Sequence, residues 1–539
     1  MRILALLFFG TLLVSAPVPI VAQDGQEPGS DTLIWRYPTE PPTLNPTTYR
    51  DVYGGQILYY TNGYLYMLDK PTATLKPELA ADFPKRSEDN LEWTIPLRKD
   101  VKWHDGTPFT AQDVKASFDI LMHPKVDSQR QKSYYTDVKE VLVVDDHTVK
   151  FVYSQPYYFA LYSLYDFPLV PKHVVHELDD ERDWNDVHQV VGCGPYILKE
   201  WKKGEEVILE RNENHWGPKP NLRTIRIKFI KDDTPAIQAL RRGEIDAMAL
   251  PPQNWDRDLK DDAEVMKEYR NLIYYRPRYF YIGWNCGRDP FKSKKVRKAL
   301  TQLLDVQDVM KAVYFGYGQQ VTGPSYFQSE QYNKNVKALP HSPDAARKLL
   351  AEEGWVDTDK DGVLDKDGKK FEFEFLITTQ NPIAEKTATL MKESYKKAGI
   401  VVTIRAIDWS AFLEQLDLDK WDSCTLAWSW DWPENDPYQV WHSSQIEQRG
   451  SNRVKFNHPE ADKLITDARK EFDKDKRNAL YHRLHEIIYD EQPYTFLYNP
   501  QSIVLVHKRF QGVTTYPQGL DPRAGIEWWV PKGQEKYKK

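Results

Sequence analysis

The chain has 539 residues, with 73 Lys+Arg against 79 Asp+Glu, a formal charge of −6, 13% aromatic residues and 3 cysteines. That length exceeds the roughly 250–300 residues at which one hydrophobic core stops growing, so several domains are expected. Mild acidity argues against the concentrated basic face that nucleic acid needs, 41% hydrophobic residues exclude disorder as the main state, and three cysteines exclude a disulfide-built scaffold.

Arg2 precedes an apolar run from Ile3 to Val14, and small residues then lead to Ala22 before Gln23. This is the pattern of a secretory signal peptide over 1–22, too short and wrongly flanked to span a membrane. The first cysteine is Cys193, so none stands near the cleavage site to carry a lipid anchor. The expected location is the periplasm, with no direct membrane anchor. Cys193, Cys286 and Cys424 lack the CxxC spacing of a zinc site, and whether any two of them pair stays open.

Strands and helices alternate along the chain. Asp31 to Tyr37 reads as a strand, Glu140 to Tyr153 as a hairpin turning at Asp145-Asp146, and Tyr196 to Arg211 as a second hairpin turning at Lys203-Gly204. Thr110 and Asp113 form a capping box ahead of Val114, Phe118 and Leu121, which recur at helical spacing. Thr224 to Ile230 is a strand, and Thr234-Pro235 is expected to cap a helix that stops at Gly243. Ser293 and Ser342-Pro343 open two more helices. Phe371, Phe373 and Phe375 alternate with Glu372 and Glu374 in a strand with one buried face. A helix over 382–398, a strand over 401–407, long helices at 459–472 and 476–490 and strands near Phe496 and 503–506 complete a mixed α/β chain.

Signatures of catalysis are absent: there is no GxSxG elbow, Walker A loop or HExxH motif. His173 and His176 share helical spacing, but Glu177 follows them instead of lying between, so the segment reads as a surface loop. Asp357, Asp359, Asp361 and Gly362 match the first half of a calcium loop, with Asp365 as a further candidate ligand. Position 12 of that loop is Gly368 where a bidentate Glu belongs, and an acidic hairpin tip is the preferred reading. No cofactor is called for.

Longer motifs carry a resemblance. WTIPLRKDVKWHDGTPFTAQDV from Trp93 to Val114 is similar to the signature of family 5 extracellular solute-binding proteins, the oligopeptide- and dipeptide-binding components of ABC transporters. GCGPYILKEWKKGEEVILERN from Gly192, GEID from Gly243, PFKSKKVRKAL from Pro290 and the stretch from Asp344 to Gly368 resemble further family segments, and Pro171-Lys172-His173 fits its PKH loop. These matches run in order from about Asn45 to Trp441. The resemblance implies an α/β, two-lobed periplasmic binding protein (type II, large cluster) with an additional inserted domain. The first lobe would comprise 24–52, 188–280 and 503–539, the insertion 53–187 and the second lobe 281–502. A monomer of this kind closes about a hinge on a small-molecule solute, here a peptide, and delivers it to membrane permease and ATPase subunits. It is not an enzyme.

The same resemblance supplies site candidates. In peptide-binding relatives an Asp shortly after a Trp holds the peptide's amino group, and Asp431 in Trp428 to Trp441 (WSWDWPENDPYQVW) is the best match. The gap from Asp431 to Asp436-Pro437 is two residues longer than in those relatives. Asn45 is a further candidate contact. Dipeptide binders grip the carboxylate with an Arg pair after NP; after Asn381-Pro382 this chain has Glu385 and Lys386, so Lys386 alone could bind it, without a bidentate fork. Trp428, Trp430 and Trp432 would share one side of an extended segment, where they could stack on sugar rings or pack the lobe. Oligosaccharide binding by the same architecture is therefore an alternative reading, and a secreted hydrolase a remote one.

Overall fold

The computed structural model describes residues 28–29, 31–49, 51–176, 184–430, 434–446, 451–520 and 523–537, so the apolar leader lies outside the described residues. Its largest sheet has seven strands. From edge to edge they are Tyr269–Tyr274, Ser502–His507, Ala247–Leu250, Thr32–Tyr37, Thr224–Phe229, Glu206–Arg211 and Tyr196–Lys202. Thr32–Tyr37 runs parallel to both neighbours, and the remaining pairs are antiparallel. Three distant pieces of chain thus share one sheet, and a buried charge cluster fastens them. Arg509 pairs with Asp31 and, at 2.8 Å, with Asp246, whose Oδ2 also accepts the Ile34 N–H at 2.9 Å.

The second sheet has five strands in the order Val401–Ile407, Glu372–Thr378, Ser423–Ser429, Arg278–Trp284 and Tyr494–Phe496. Its parallel part follows from local sequence. Phe371, Phe373 and Phe375 are buried while Glu372 is exposed, which fixes the face of that strand. Asn381 then caps the helix Pro382–Lys396 by accepting from Ala384 N, with Pro at the first helical position. Gly399, at φ +79°, ends the turn and releases the chain into Val401–Ile407, parallel to the first strand. A four-stranded antiparallel sheet, Lys85–Arg86, Glu92–Pro96, Thr148–Tyr153 and Val138–Asp145, lies in the sequence between the first two strands of the large sheet's chain path. The capping box of Thr110 and Asp113 starts the helix Ala111–Met122 beside it.

One expected helix start moves. The helix expected at Thr234 runs Asp233–Arg241 with Asp232 at the cap position, so Pro235 sits inside the first turn. That is tolerated because first-turn N–H groups have no intrahelical partner to lose. The helix Val52–Thr61, carrying Gly54 and Gly55, was not expected. At Gly55 a Cβ would come to 3.0 Å from the Tyr49 ring, so close packing explains a residue that helices otherwise disfavour. All three cysteines are free thiols, and burial pushes Cys193 and Cys424 up to about 12 and Cys286 to about 11.

The chain leaves the large sheet for the second through Tyr275, Arg276 and Pro277 and returns through Gln501. The two crossings lie side by side. Arg278 donates to Pro500 O at 2.9 Å and to Ser502 Oγ at 3.3 Å, and Asn499 Nδ2 donates to Arg276 O at 3.0 Å. The core of the four-stranded region is continuous with that of the later helices. Tyr158 and Tyr481 share a hydroxyl–hydroxyl bond of 2.9 Å, and the Arg477 guanidinium lies 4.0 Å from the Tyr158 ring centre.

Candidate solute-binding cleft

Two adjoining cavities open between these parts. The smaller, about 170 Å³, is walled by the large sheet (Trp35, Tyr37), by the unexpected helix (Gly55, Tyr59) and by Arg276 of the crossing. The larger, about 410 Å³, lies between the four-stranded region (Tyr135, Phe159, Tyr162) and the second sheet and its following loop (Tyr279, Trp428, Glu434). Tyr165, Ser429 and Trp430 line both cavities and mark where they meet. Volumes of about 300–1,000 Å³ are usual for small-molecule sites, and the larger cavity alone falls in that range.

The strand Ser423–Ser429 explains how the indoles reach the cleft. Its two-residue repeat sends Trp428 and Trp430 to the same side, and both line the larger cavity. Trp428 Nε1 donates to Tyr494 OH at 3.3 Å, whereas Trp430 Nε1 is buried with no hydrogen-bond partner. Trp430 also ties the cleft to the crossing, since its backbone N–H donates to Pro277 O at 3.1 Å and its ring meets Tyr279 edge-on at 5.8 Å.

Charge is unevenly spread. Asp166, Glu434 and Asp436 line the larger cavity. Asp436 is fully engaged: it accepts from Tyr157 OH at 2.9 Å and pairs with Arg469 at 3.0 Å, and Arg469 reaches Asp137 at 2.9 Å. Burial disfavours the Arg469 charge, but Asp436, Tyr157 and Asp137 together hold its pKa above the ordinary value. Glu434 is different. Its side chain is 12% exposed, its Oε2 accepts no hydrogen bond, and Arg477 stands 3.7 Å away. Burial raises its pKa and Arg477 opposes the rise only in part. The smaller cavity carries Asp51, Lys70 and Arg276.

The other sequence candidates fall elsewhere. Asp431 and Trp432 lie outside the described residues. Asn45 is wholly buried and lines neither cavity; its amide donates to Val187 O and accepts from Thr47 N and Thr47 Oγ1, so it shapes its own loop. Lys386 is exposed on its helix and lines neither cavity. Asp357, Asp359 and Asp361 do converge, with ligand atoms within 4.8 Å of one another, but Lys370 occupies them, pairing with Asp359 at 2.7 Å and Asp361 at 2.9 Å. Asp365 turns away to accept from Thr358 N and Oγ1. His173 bonds Asp105 at 2.7 Å from a short helix, Lys172–His176, where a surface loop was expected, and Glu177 lies outside the described residues.

Against known proteins, the family described as "Bacterial extracellular solute-binding proteins, family 5 Middle" matches residues 74–448. The chain belongs to this family. This family 5 protein is 32% identical over 461 residues to the oligopeptide-binding protein AppA of Bacillus subtilis, covering 84% of this chain and 83% of that one. It is 28% identical to the probable D,D-dipeptide-binding periplasmic protein DdpA of Escherichia coli over 90% and 92% of the two chains. Its fold is similar to the structure of Bacillus subtilis AppA in complex with a nonapeptide, with TM-score 0.81, 30% identity and coverage of 94% of this chain and 100% of that one. NikZ of Campylobacter jejuni, in complex with Ni(L-His), gives TM-score 0.80 at 27% identity over 93% and 99%. The family 5 protein accordingly has the two-lobed type II fold, and its family is one of binding proteins. Among the described residues, no helix is long and apolar enough to cross a membrane.

Sequence reasoning missed most of the cleft. Tyr165, Tyr59, Tyr279 and Arg276 come from three separate stretches, and none belongs to a periodic or motif-like pattern. The one available signal was the density of tyrosines at 49–66 and 157–165, which core packing explains equally well.

Proposed function

We propose that the chain is the substrate-binding component of an ABC-type importer and takes a peptide-like solute into the double cavity by closure about the paired crossings. What carries this reading is the meeting of two cavities at Tyr165, Ser429 and Trp430, with walls from both sides of the hinge. Similarity to a nonapeptide-binding relative supports a peptide as the solute. Residues 1–22 are taken to be removed on export to the periplasm. The lobes are assigned as 24–52, 188–280 and 503–539 against 281–502, with 53–187 as the inserted domain.

Aromatic faces and phenol hydroxyls would hold peptide backbone and varied side chains, with water filling what a given side chain leaves. The acidic end of the larger cavity suits the amino terminus, and Asp431 follows Trp430 directly into that loop. The test is native mass spectrometry of solutes that co-purify with the mature protein, followed by calorimetric titration. Peptides bound one to one and recovered intact are expected. A sugar or a metal chelate would overturn the solute assignment, and hydrolysis of the solute would overturn the receptor role. For Asp431→Asn, loss of a charge-assisted bond weakens free-amine peptides by roughly 10- to 100-fold and spares N-acetylated ones; equal loss for both removes Asp431 from that role.

A further inference from the structure

We propose that Arg276 anchors a carboxylate of the solute, at the hinge itself. Its side chain lines the smaller cavity, and among the described residues no carboxylate comes within ion-pair distance of it. Its single side-chain hydrogen bond is a long one, 3.4 Å from Nη2 to Ser429 Oγ on the opposite lobe. A guanidinium carries five donors in a fork that matches a carboxylate, so most of this one's capacity is unspent. Solvated surface arginines are common without partners. This one is half-buried and faces a partly open cavity to which Trp35, Tyr37, Tyr59, Tyr165 and Trp430 contribute aromatic rings, and a pair formed against such apolar faces is less screened than one in open solvent.

The neighbourhood adds to the argument. Arg278 also lacks a carboxylate and spends its donors on Pro500 O and Ser502 Oγ. Burial, and then the charge of Arg276, push the Arg278 pKa down to about 10, so two like charges crowd one crossing. The other charged groups on the smaller cavity are Lys70 and Asp51, whose Oδ1 caps the helix at Gly54 N and whose Oδ2 is buried with no hydrogen-bond partner. An incoming anion would relieve the crowding and bridge Arg276 to Ser429. It would thereby hold together the crossing, through Asn499 and Arg276 O, and the second sheet. This placement also accounts for the helix after Asn381-Pro382, where Glu385 and Lys386 are exposed and line neither cavity. A bound peptide would then run with its carboxylate in the smaller cavity and its amino group toward Glu434 in the larger.

The inference rests on the peptide-receptor reading, and the test separates the two. A random tetrapeptide library is presented in free-acid and C-terminally amidated forms to the wild-type protein and to Arg276→Gln and Arg276→Lys, with bound species counted by mass spectrometry. The wild-type protein should favour acids by about 10- to 100-fold. Arg276→Gln should bind both forms at the wild type's amide level, and Arg276→Lys should recover part of the preference. Equal loss of acid and amide binding in Arg276→Gln, or an undiminished preference for acids, overturns the anchor. If no peptide binds, the peptide reading fails, and N-acetylglycine against N-acetylglycinamide, followed by tryptophan fluorescence at millimolar concentration, still reads the anchor. A wild-type preference for the acid that vanishes in Arg276→Gln upholds it, and no preference sinks it.

Discussion

Two segments of the second half each gather several acidic side chains and behave in opposite ways. The hairpin at 357–367 has the spacing of a metal loop, yet Lys370 answers Asp359 and Asp361, Gly362 N answers Asp357 and Thr358 answers Asp365. The segment from Trp428 to Trp441 has no such spacing, yet it leaves Trp430 Nε1 and Glu434 Oε2 buried without hydrogen-bond partners beside a cavity. Buried polar groups are ordinarily satisfied, so exceptions that face empty space are better markers of a ligand site than a dense set of ligating side chains. The contrast holds even within the second segment, where Asp436 is fully engaged and Glu434, two residues before it, is not.

The sharpest way to break that internal contrast is to remove Asp436. Its side chain is 7% exposed and neutralises Arg469, whose own side chain is 13% exposed. Asp436→Ala leaves a buried guanidinium short of one of its two carboxylates and should cost about 3–5 kcal/mol, measured by urea unfolding. A loss below ~1 kcal/mol would mean that Asp137 alone suffices for Arg469.

Glu434 should respond in the other direction. Burial raises its carboxyl pKa in the folded chain, so the folded state favours the protonated form. Stability is then greatest below the unfolded value of about 4.3 and is lost as pH rises from there through the folded pKa. Glu434→Gln removes that loss. The variant should match the wild type near pH 4 and exceed it at pH 7 in thermal unfolding, while binding free-amine peptides more weakly. A variant less stable than the wild type at pH 7 would show that Arg477 compensates the charge after all.

Much of the fold can be read locally, because capping boxes, N1 prolines and two-residue alternation act within a few residues. Thr110 with Asp113, Asn381-Pro382, and Phe371, Phe373 and Phe375 all appear in the structure as their spacing requires. The helix Val52–Thr61 escapes such reading because its two glycines answer to Tyr49 and to Thr43 O, contacts set by folding around it. The cleft escapes for the same reason. Arg276 is a site candidate only because, among the described residues, no carboxylate arrives beside it, and that depends on the arrangement of several distant segments. Lys386 and Asn45 show the converse: positions chosen by likeness alone, one exposed on a helix and the other spent on its own loop.

The smallest expected effect tests the other side of the comparison. If internal pairing is what silences the acidic hairpin, millimolar calcium should leave the melting temperature of the wild-type protein unchanged, since a cation would have to displace Lys370. The Lys370 ammonium holds the Asp359 carboxyl below its usual range. That contribution is present above the unfolded value of about 3.9 and fades as pH falls through the lower folded pKa, so at neutral pH, where calcium would find ionised carboxylates, the lysine pairing it must displace is at full strength. Lys370→Met withdraws the internal cation and leaves three carboxylates within 4.8 Å of one another. The variant should gain calcium-dependent protection at roughly 0.1–1 mM, the range of weak extracellular sites, with solute affinity untouched. Protection of the wild-type protein at micromolar calcium would show that the lysine yields readily, and the hairpin would join the cleft as a second site with unmet bonding capacity.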